Sequence, residues 1–308
     1  MGKKKKKILF WEYFEQWTKE YKEGAIREVT MQKYRNTLRW LKKIAPDLKL
    51  KDVDRKSYQY IINEFGKEHE KQTVQDFHHQ LKGSLRDAVD DDYIKKDPTN
   101  RIKVTGKIKV QKKDKYISEE EVKLLIMDLD LGNEFNYDWM IYLALKTGLR
   151  FSEVAGLTVN DFDFENFVIH VNKTWNYKYG GGFVLTKNES SIRDVKIDKD
   201  FSEQLKILCS SHKGDMPVFI LNGNNIYNST VNKVLEGHCK KVGIPLITYH
   251  ALRHIHASLL LKEKVTLSSI ADRLGHSNSI TCQKVYLHVI KELEQEDNAK
   301  INNVLTAL

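Results

Sequence analysis

Within "ITYHALRHIHASLLL", residues 247–261, the side chains of His250, Arg253, His254 and His256 stand inside seven positions and run into an apolar helix. Three chemistries compete for such a cluster. One is a zinc site, because His250 and His254 lie four residues apart and share a helix face. Against it, Ala251 stands where a metalloprotease helix places its glutamate base, and Arg253 puts a fixed cation between the ligands. The second is a plain amphipathic helix, with Ile255, Leu259 and Leu260 packed and the histidines at its solvated start. The third is a phosphate site at a helix N-terminus, where backbone N–H groups, a permanently protonated guanidinium and an imidazole converge on one anion.

The elements that position this cluster point to a two-part, mainly helical chain. Its 308 residues are long for one core, and 41% apolar content marks it as globular. Residues 10–97 read as helices: "WEYFEQWTKEYKE", then "TMQKYRNTLRWLKKI" behind a Thr30 N-cap, then "RKSYQYIINEFGKEH" and "TVQDFHHQLKGSLRDAVDDDYI". In the second, Tyr34, Leu38 and Leu41 make an apolar stripe, which leaves Lys33, Arg35, Arg39, Lys42 and Lys43 free for phosphate. Asp97-Pro98 closes this unit, since the residue before proline avoids the α region. The stretch "RIKVTGKIKVQKKDK" holds seven basic residues and one acid without helical periodicity, so it reads as an extended linker suited to lying along a phosphate backbone.

A second unit opens at "ISEEEVKLLI", with Ser118 as N-cap and Glu121 as its capping-box partner. A buried helix follows over 137–148. "FDFENFVIHV", "GGGFVLT" and "SIRDVKI" then give a small antiparallel sheet, with Gly180 to Gly182 as a hairpin turn, before helices return from about residue 200. The predicted organisation is a basic segment at 1–9, a helical unit at 10–100, a linker at 101–115, an α+β unit at 116–290 and a tail helix at 291–308. Ile301, Val304, Leu305 and Leu308 form the tail's apolar stripe.

Charge separates the two parts. The net charge is +9, but residues 1–113 hold 29 Lys and Arg against 17 Asp and Glu, which leaves 22 against 25 for the rest. A basic front favours a polyanion, with nucleic acid ahead of membrane because no segment approaches about 18 uninterrupted apolar residues. Cys209, Cys239 and Cys282 are few and scattered, as reduced cytosolic thiols are. The opening "MGKKKKKILF" has no apolar core of a secretory signal. It is open between a DNA-touching arm, a truncated linker and a vector scar.

Four further stretches carry groups that match the opening cluster. "TGLRFSE" puts Arg150 on a turn after Gly148, with Glu153 placed to hold its guanidinium. "LTKNESSIRDVKI" puts Lys187 near the tip of a β-hairpin, "LGHSNS" puts His276 beside Gly275 in a helix-ending turn, and "TCQKVYLHV" brings Tyr286 ten residues later.

With these residues in this order, the chain resembles the tyrosine recombinase (phage integrase) family over nearly its whole length. That family orders Arg, a hairpin Lys, His-x-x-Arg, His or Trp, and a nucleophilic Tyr; the matching positions are Arg150, Lys187, His250, Arg253, His276 and Tyr286. Ala251 and Ile255 depart from the Asp and Thr often found there. The resemblance implies a helical core-DNA-binding domain, an α+β catalytic domain, and no metal or other cofactor. It also implies double-stranded DNA attachment sites as partners, a homo-tetramer on DNA, directionality or host bending proteins as helpers, and a bacterial cytoplasmic, nucleoid-associated location. An arm-site-binding domain, common ahead of the helical one, is not expected within this chain. The lysine-rich start and the His276–Tyr286 interval favour an integrase of a phage or integrative element. A catalytically silent DNA-binding accessory protein and a type IB-like topoisomerase are the alternatives.

The chemistry suits these groups. A phosphodiester under attack gathers negative charge on its non-bridging oxygens, which arginines at Arg150 and Arg253 can clamp at any physiological pH. A phenol of pKa about 10 needs a base or strong charge stabilisation, for which His250 and His276 are at hand. A mobile Lys187 ammonium is apt for the departing 5′-oxygen, and Tyr286 would hold the 3′-phosphate. His254, His256 and His288 read as structural or supporting.

Overall fold

The computed structural model describes residues 7–107, 117–178, 180–186, 189–212, 214–220 and 225–276. The chain divides into two compact units, Met1–Lys112 and Lys113–Leu308. No helix among the described residues is long and apolar enough to cross a membrane.

The first unit packs α1 (Phe10–Tyr21), α2 (Glu28–Ile44), α3 (Arg55–Glu68) and α4 (Lys71–Asp90). Each buries one stripe at helical spacing: Phe10, Tyr13, Phe14 and Trp17 on α1; Val74, Phe77, Leu81, Leu85 and Ala88 on α4. His78 lies in the α4 stripe, its Nδ1 3.0 Å from the Tyr58 hydroxyl. Burial first, then the Lys82 and His79 charges, lowers its pKa to about 4.

Three sequence expectations for this unit are corrected. Helix α2 starts at Glu28 behind an extended Arg27, and the Thr30 amide donates to the Arg27 carbonyl at 2.8 Å, so Thr30 sits in the first turn and is no cap. Glu28 explains the earlier start, since its carboxylate suits the positive end of the helix and reaches Arg35. The α2 cations are also not left free: Lys42 meets Glu15 at 3.1 Å, Lys43 meets Glu68 at 3.4 Å, Lys33 meets Asp76 at 4.0 Å, and Arg39 bonds Asn36. Finally, the described half of the linker packs on its own unit. Gln59 donates to the Lys103 carbonyl at 2.7 Å and accepts from its amide at 2.9 Å, pairing like a peptide group, while Lys107 bridges to the 69–71 backbone. A Cβ on Gly106 would lie 2.6 Å from the Lys71 Cα, so only glycine allows this approach.

The second unit begins with α5 (Glu119–Asp128), capped as the sequence predicts: Ser118 Oγ accepts from the Glu121 amide at 3.2 Å, and Glu121 accepts from the Ser118 amide at 2.6 Å. Helix α6 (Tyr137–Thr147) is buried nearly all round and stops at Gly148, whose φ of +70° is the left-handed cap that glycine adopts without strain. A short α7 (Phe151–Val154) follows. Strands β1 (Phe162–Asp163), β2 (Val168–Val171) and β5 (Arg193–Lys196) form an antiparallel sheet in the order β1-β2-β5. Strands β3 (Lys173–Trp175) and β4 (Phe183–Leu185) form a separate hairpin around Gly180 to Gly182, so the expected single sheet is two. The break falls at Asn172, and the backbone of Thr174 and Trp175 beyond it lies against Gly156, where a Cβ would come within 2.9 Å of the Trp175 amide nitrogen.

Helices α8 (Lys199–Cys209), α9 (Asn228–Lys241), α10 (Tyr249–Lys262) and α11 (Leu267–Leu274) complete the described unit. One face of α10 is bonded to the α6 segment. Tyr249 Oη donates to the Met140 carbonyl at 3.1 Å, Arg253 Nη1 to the Gly148 carbonyl at 2.7 Å, and His256 Nδ1 lies 2.8 Å from the Leu145 carbonyl. The mainly α architecture with small antiparallel sheets is that expected from the sequence. The proposed tail helix, 291–308, lies outside the described residues.

Candidate active site

The last turn of α11 ends at Gly275, with φ +64°. Three successive carbonyls there take arginines from three other elements. The Arg273 carbonyl accepts from Arg193 Nε at 2.6 Å, the Leu274 carbonyl accepts from Arg253 Nη2, and the Gly275 carbonyl accepts from Arg150 Nη2 at 3.1 Å. Carbonyls at a helix C-terminus lack intrahelical partners and carry the negative end of its dipole, so guanidinium groups suit them. The next residue is His276.

Arg150 is held in the N-cap position of α7. Its Nη1 donates to Glu153 Oε1 at 2.6 Å and its backbone amide donates to Glu153 Oε2 at 2.9 Å. Its side chain keeps 30% exposure against 1% for Glu153. Arg253 is 2% exposed, and its two carbonyl bonds fix the plane of the guanidinium. Burial would push the Glu153 carboxyl up, but Arg193 and Arg150 outweigh it and hold the group below the usual carboxylate range. Glu153 is therefore the anion on which the two arginines are hung.

The imidazoles respond in the opposite sense. His276 is lowered to about 4, by burial first and then by Arg253, Arg150 and other nearby groups. His250 reaches solvent on one side, yet desolvation on the other, with Arg253 and Arg150, lowers it too. Both shifts favour the neutral imidazole. The His254 ring meets His250 edge-on with centroids 4.8 Å apart. His256 turns inward: Arg273 Nε donates to its Nε2 at 2.9 Å, which leaves the proton on Nδ1 for the Leu145 carbonyl. Burial and Arg273 lower its pKa to about 4.

The structure thus brings Arg150, His250, Arg253 and His276 together, with the His254 ring against His250 and His256 bonded inward to Arg273 and the Leu145 carbonyl. Lys187, Tyr286 and His288 lie outside the described residues. The sequence reading missed Arg193 and Arg273. Arg193 was detectable, since it shares a strand face with the buried Val195 while Asp194 and Lys196 face out, and a cation on an inward face needs a partner. Arg273, which also donates to the Lys196 and Lys146 carbonyls at 2.9 and 3.2 Å, carries no comparable signal.

Comparison with known proteins supplies the class. Residues 115–292 match the phage integrase family, and residues 9–105 match the phage integrase SAM-like domain. The integrase of Staphylococcus phage L54a is 26% identical across 97% of this chain and 94% of its own length. The transposase from transposon Tn916 of Enterococcus faecalis is 27% identical across 82% of this chain and 67% of its own. Among solved structures, the Tn1549 transposon integrase in complex with a circular intermediate DNA superposes with a TM-score of 0.77 at 19% identity, over 91% of this chain and 95% of that one. A lambda integrase dimer bound to a core site gives 0.67 at 16% identity, over 92% and 78%. The chain belongs to the phage integrase family. It is a site-specific DNA recombinase of the tyrosine type, of the kind that integrates or excises mobile elements.

Proposed function

We propose that this recombinase cleaves DNA one strand at a time through a 3′-phosphotyrosyl intermediate. Arg150 and Arg253 bind the two non-bridging oxygens of the scissile phosphate and stabilise the charge that grows there. The Tyr286 phenol attacks phosphorus, its proton passing to a neutral imidazole at His250 or His276, while Lys187 protonates the departing 5′-oxygen. Rejoining is the reverse step with a 5′-hydroxyl from another strand, and because the phosphotyrosyl ester keeps the bond energy it needs no nucleotide and no metal. The observation that supports this reading best is the convergence of Arg150 and Arg253 on successive carbonyls beside His276. Burial and these two guanidiniums lower the pKa of both imidazoles; a bound phosphodiester would offset the cations and raise both histidines towards useful basicity.

The working form we infer is a homo-tetramer on two double-stranded attachment sites, the apolar stripe of the tail docking on a neighbouring protomer. Directionality factors or host bending proteins act on that assembly, at the nucleoid in the bacterial cytoplasm. Covalent capture tests the chemistry. Incubated with a randomised pool of nicked duplexes, the protein should retain specific DNA through SDS in the presence of EDTA, and Tyr286→Phe should bind the same DNA without retaining it. An SDS-resistant adduct formed by Tyr286→Phe would refute the assignment of the nucleophile.

A further inference from the structure

We propose that Arg193 is a positioning residue for strand cleavage, acting through Glu153 and the last turn of α11 to leave Arg150 with a net positive charge for the phosphate. The inference rests on the reading of Arg150 as a phosphate ligand. Arg193 opens β5 opposite Val171 of β2, and only 7% of its side chain is exposed. Such a guanidinium is tolerated only when fully engaged. Its Nε donates to the Arg273 carbonyl at 2.6 Å, its Nη1 to the Ser191 carbonyl at 3.0 Å and Glu153 Oε1 at 3.3 Å, and its Nη2 to Glu153 Oε2 at 3.0 Å.

Charge explains why two arginines serve one carboxylate. Glu153 paired with Arg150 alone would cancel the cation meant for the phosphate. With Arg193 as second partner, the trio carries one positive charge, and the more exposed member is Arg150, at 30% against 7%. Arg193 is tied into carbonyls and a carboxylate, so it does not itself reach for substrate. It also backs the turn that orients Arg150: a Cβ on Gly275 would lie 2.9 Å from Arg193 Nη1, and the Gly275 carbonyl is the one that Arg150 bonds. Movement of Arg193 therefore shifts both anchors of Arg150, the carboxylate and the carbonyl.

The test uses full-length protein and the nicked duplex that the unaltered protein captures from the randomised pool, with single-turnover adduct formation, DNA affinity and thermal melting measured together. Arg193→Met should slow adduct formation by on the order of 10²-fold while the Kd for DNA stays within about a factor of three, as expected when transition-state contacts are lost and ground-state grip is kept. Arg193→Lys should recover part of the rate, because it restores charge without the planar fork. Glu153→Gln combined with Arg193→Met should outpace Arg193→Met alone, since the carboxylate charge leaves with the cation that offset it. A purely structural role gives no such recovery. An unchanged rate in Arg193→Met, or a double variant no faster than the single one, overturns the proposal. Failure of the underlying reading is separate: it is signalled by an Arg150→Ala protein that cleaves at the normal rate, or by no captured duplex at all, and either removes the proposal with it.

Discussion

In the helical unit, the cations of α2 stand on exposed positions and pair with equally exposed acids: Lys42 with Glu15, Lys43 with Glu68, Arg35 with Glu28. In the catalytic unit, the side chains of Glu153, Arg193 and Arg253 are buried; Arg193 donates to the Glu153 carboxylate, and both arginines donate to carbonyls in the last turn of α11. Among the described residues, the buried polar groups of the first unit are Thr18, Thr37, His78, Ser84 and Thr99, with no permanent charge. Those of the second include Asp138, Glu153, Asp161 and Arg253. Exposed pairs are worth little in water and exchange readily, so a phosphate backbone can displace the acids. Buried charges are costly to rearrange, so they hold a geometry. The helical unit is suited to adjustable grip, the catalytic unit to fixed chemistry.

The contrast should be largest in cleavage. Arg253→Ala and Arg150→Ala are each expected to slow covalent adduct formation by about 10²- to 10³-fold, as for loss of one donor to a developing oxyanion, with a smaller effect on DNA binding. Comparable losses in rate and affinity for both would erase the distinction between grip and chemistry.

Acid probes the buried histidines next. His256 has its pKa lowered from 6.5 to about 4, so the unfolded chain binds a proton more readily across that interval. The stability it contributes is fully present above pH 6.5 and lost as pH falls to 4, a change of about 3 kcal/mol at most. His78 in the helical unit is lowered the same way and should act with the same sign. Denaturant melts of His256→Gln and His78→Gln at pH 7 and pH 4.5 check this: each should flatten the pH dependence, and parallel curves with the unaltered protein would count against it.

A smaller effect is expected from the α2 cations. Neutralising Lys33, Arg35, Arg39, Lys42 and Lys43 one after another should lower the salt dependence of DNA binding by up to about 0.9 in the log–log slope for each that contacts phosphate. A slope that stays constant would move the electrostatic grip off α2. Smallest of all, Lys42→Ala should change folding stability by less than about 0.5 kcal/mol in a denaturant melt, as for other exposed pairs.

The elements were largely legible. Stripes such as Phe10, Tyr13, Phe14 and Trp17 announce a helix because burial repeats with the turn, and Ser118 with Glu121 marks a start because the capping bonds are local. Thr30 misled for the converse reason: a good cap residue does not cap when Glu28 already suits the first turn and the Arg27 carbonyl takes the Thr30 amide. The docking of 101–107 was hidden because it depends on Gln59, Asn63 and Gly106 meeting residues distant in the sequence.

What the sequence determined by itself was the order and kind of reactive groups, since the permanent charge of Arg150 and Arg253, and the presence of titratable imidazoles at His250 and His276, belong to the residues whatever surrounds them. The tertiary structure decided which arginine is sealed and which reaches solvent, which nitrogen of His256 holds the proton, and that both site imidazoles are pushed towards the neutral form. Those properties follow from burial and from partners such as the Gly148, Leu274 and Gly275 carbonyls. Two of these bonds join residues more than one hundred positions apart, and no local pattern encodes such pairings.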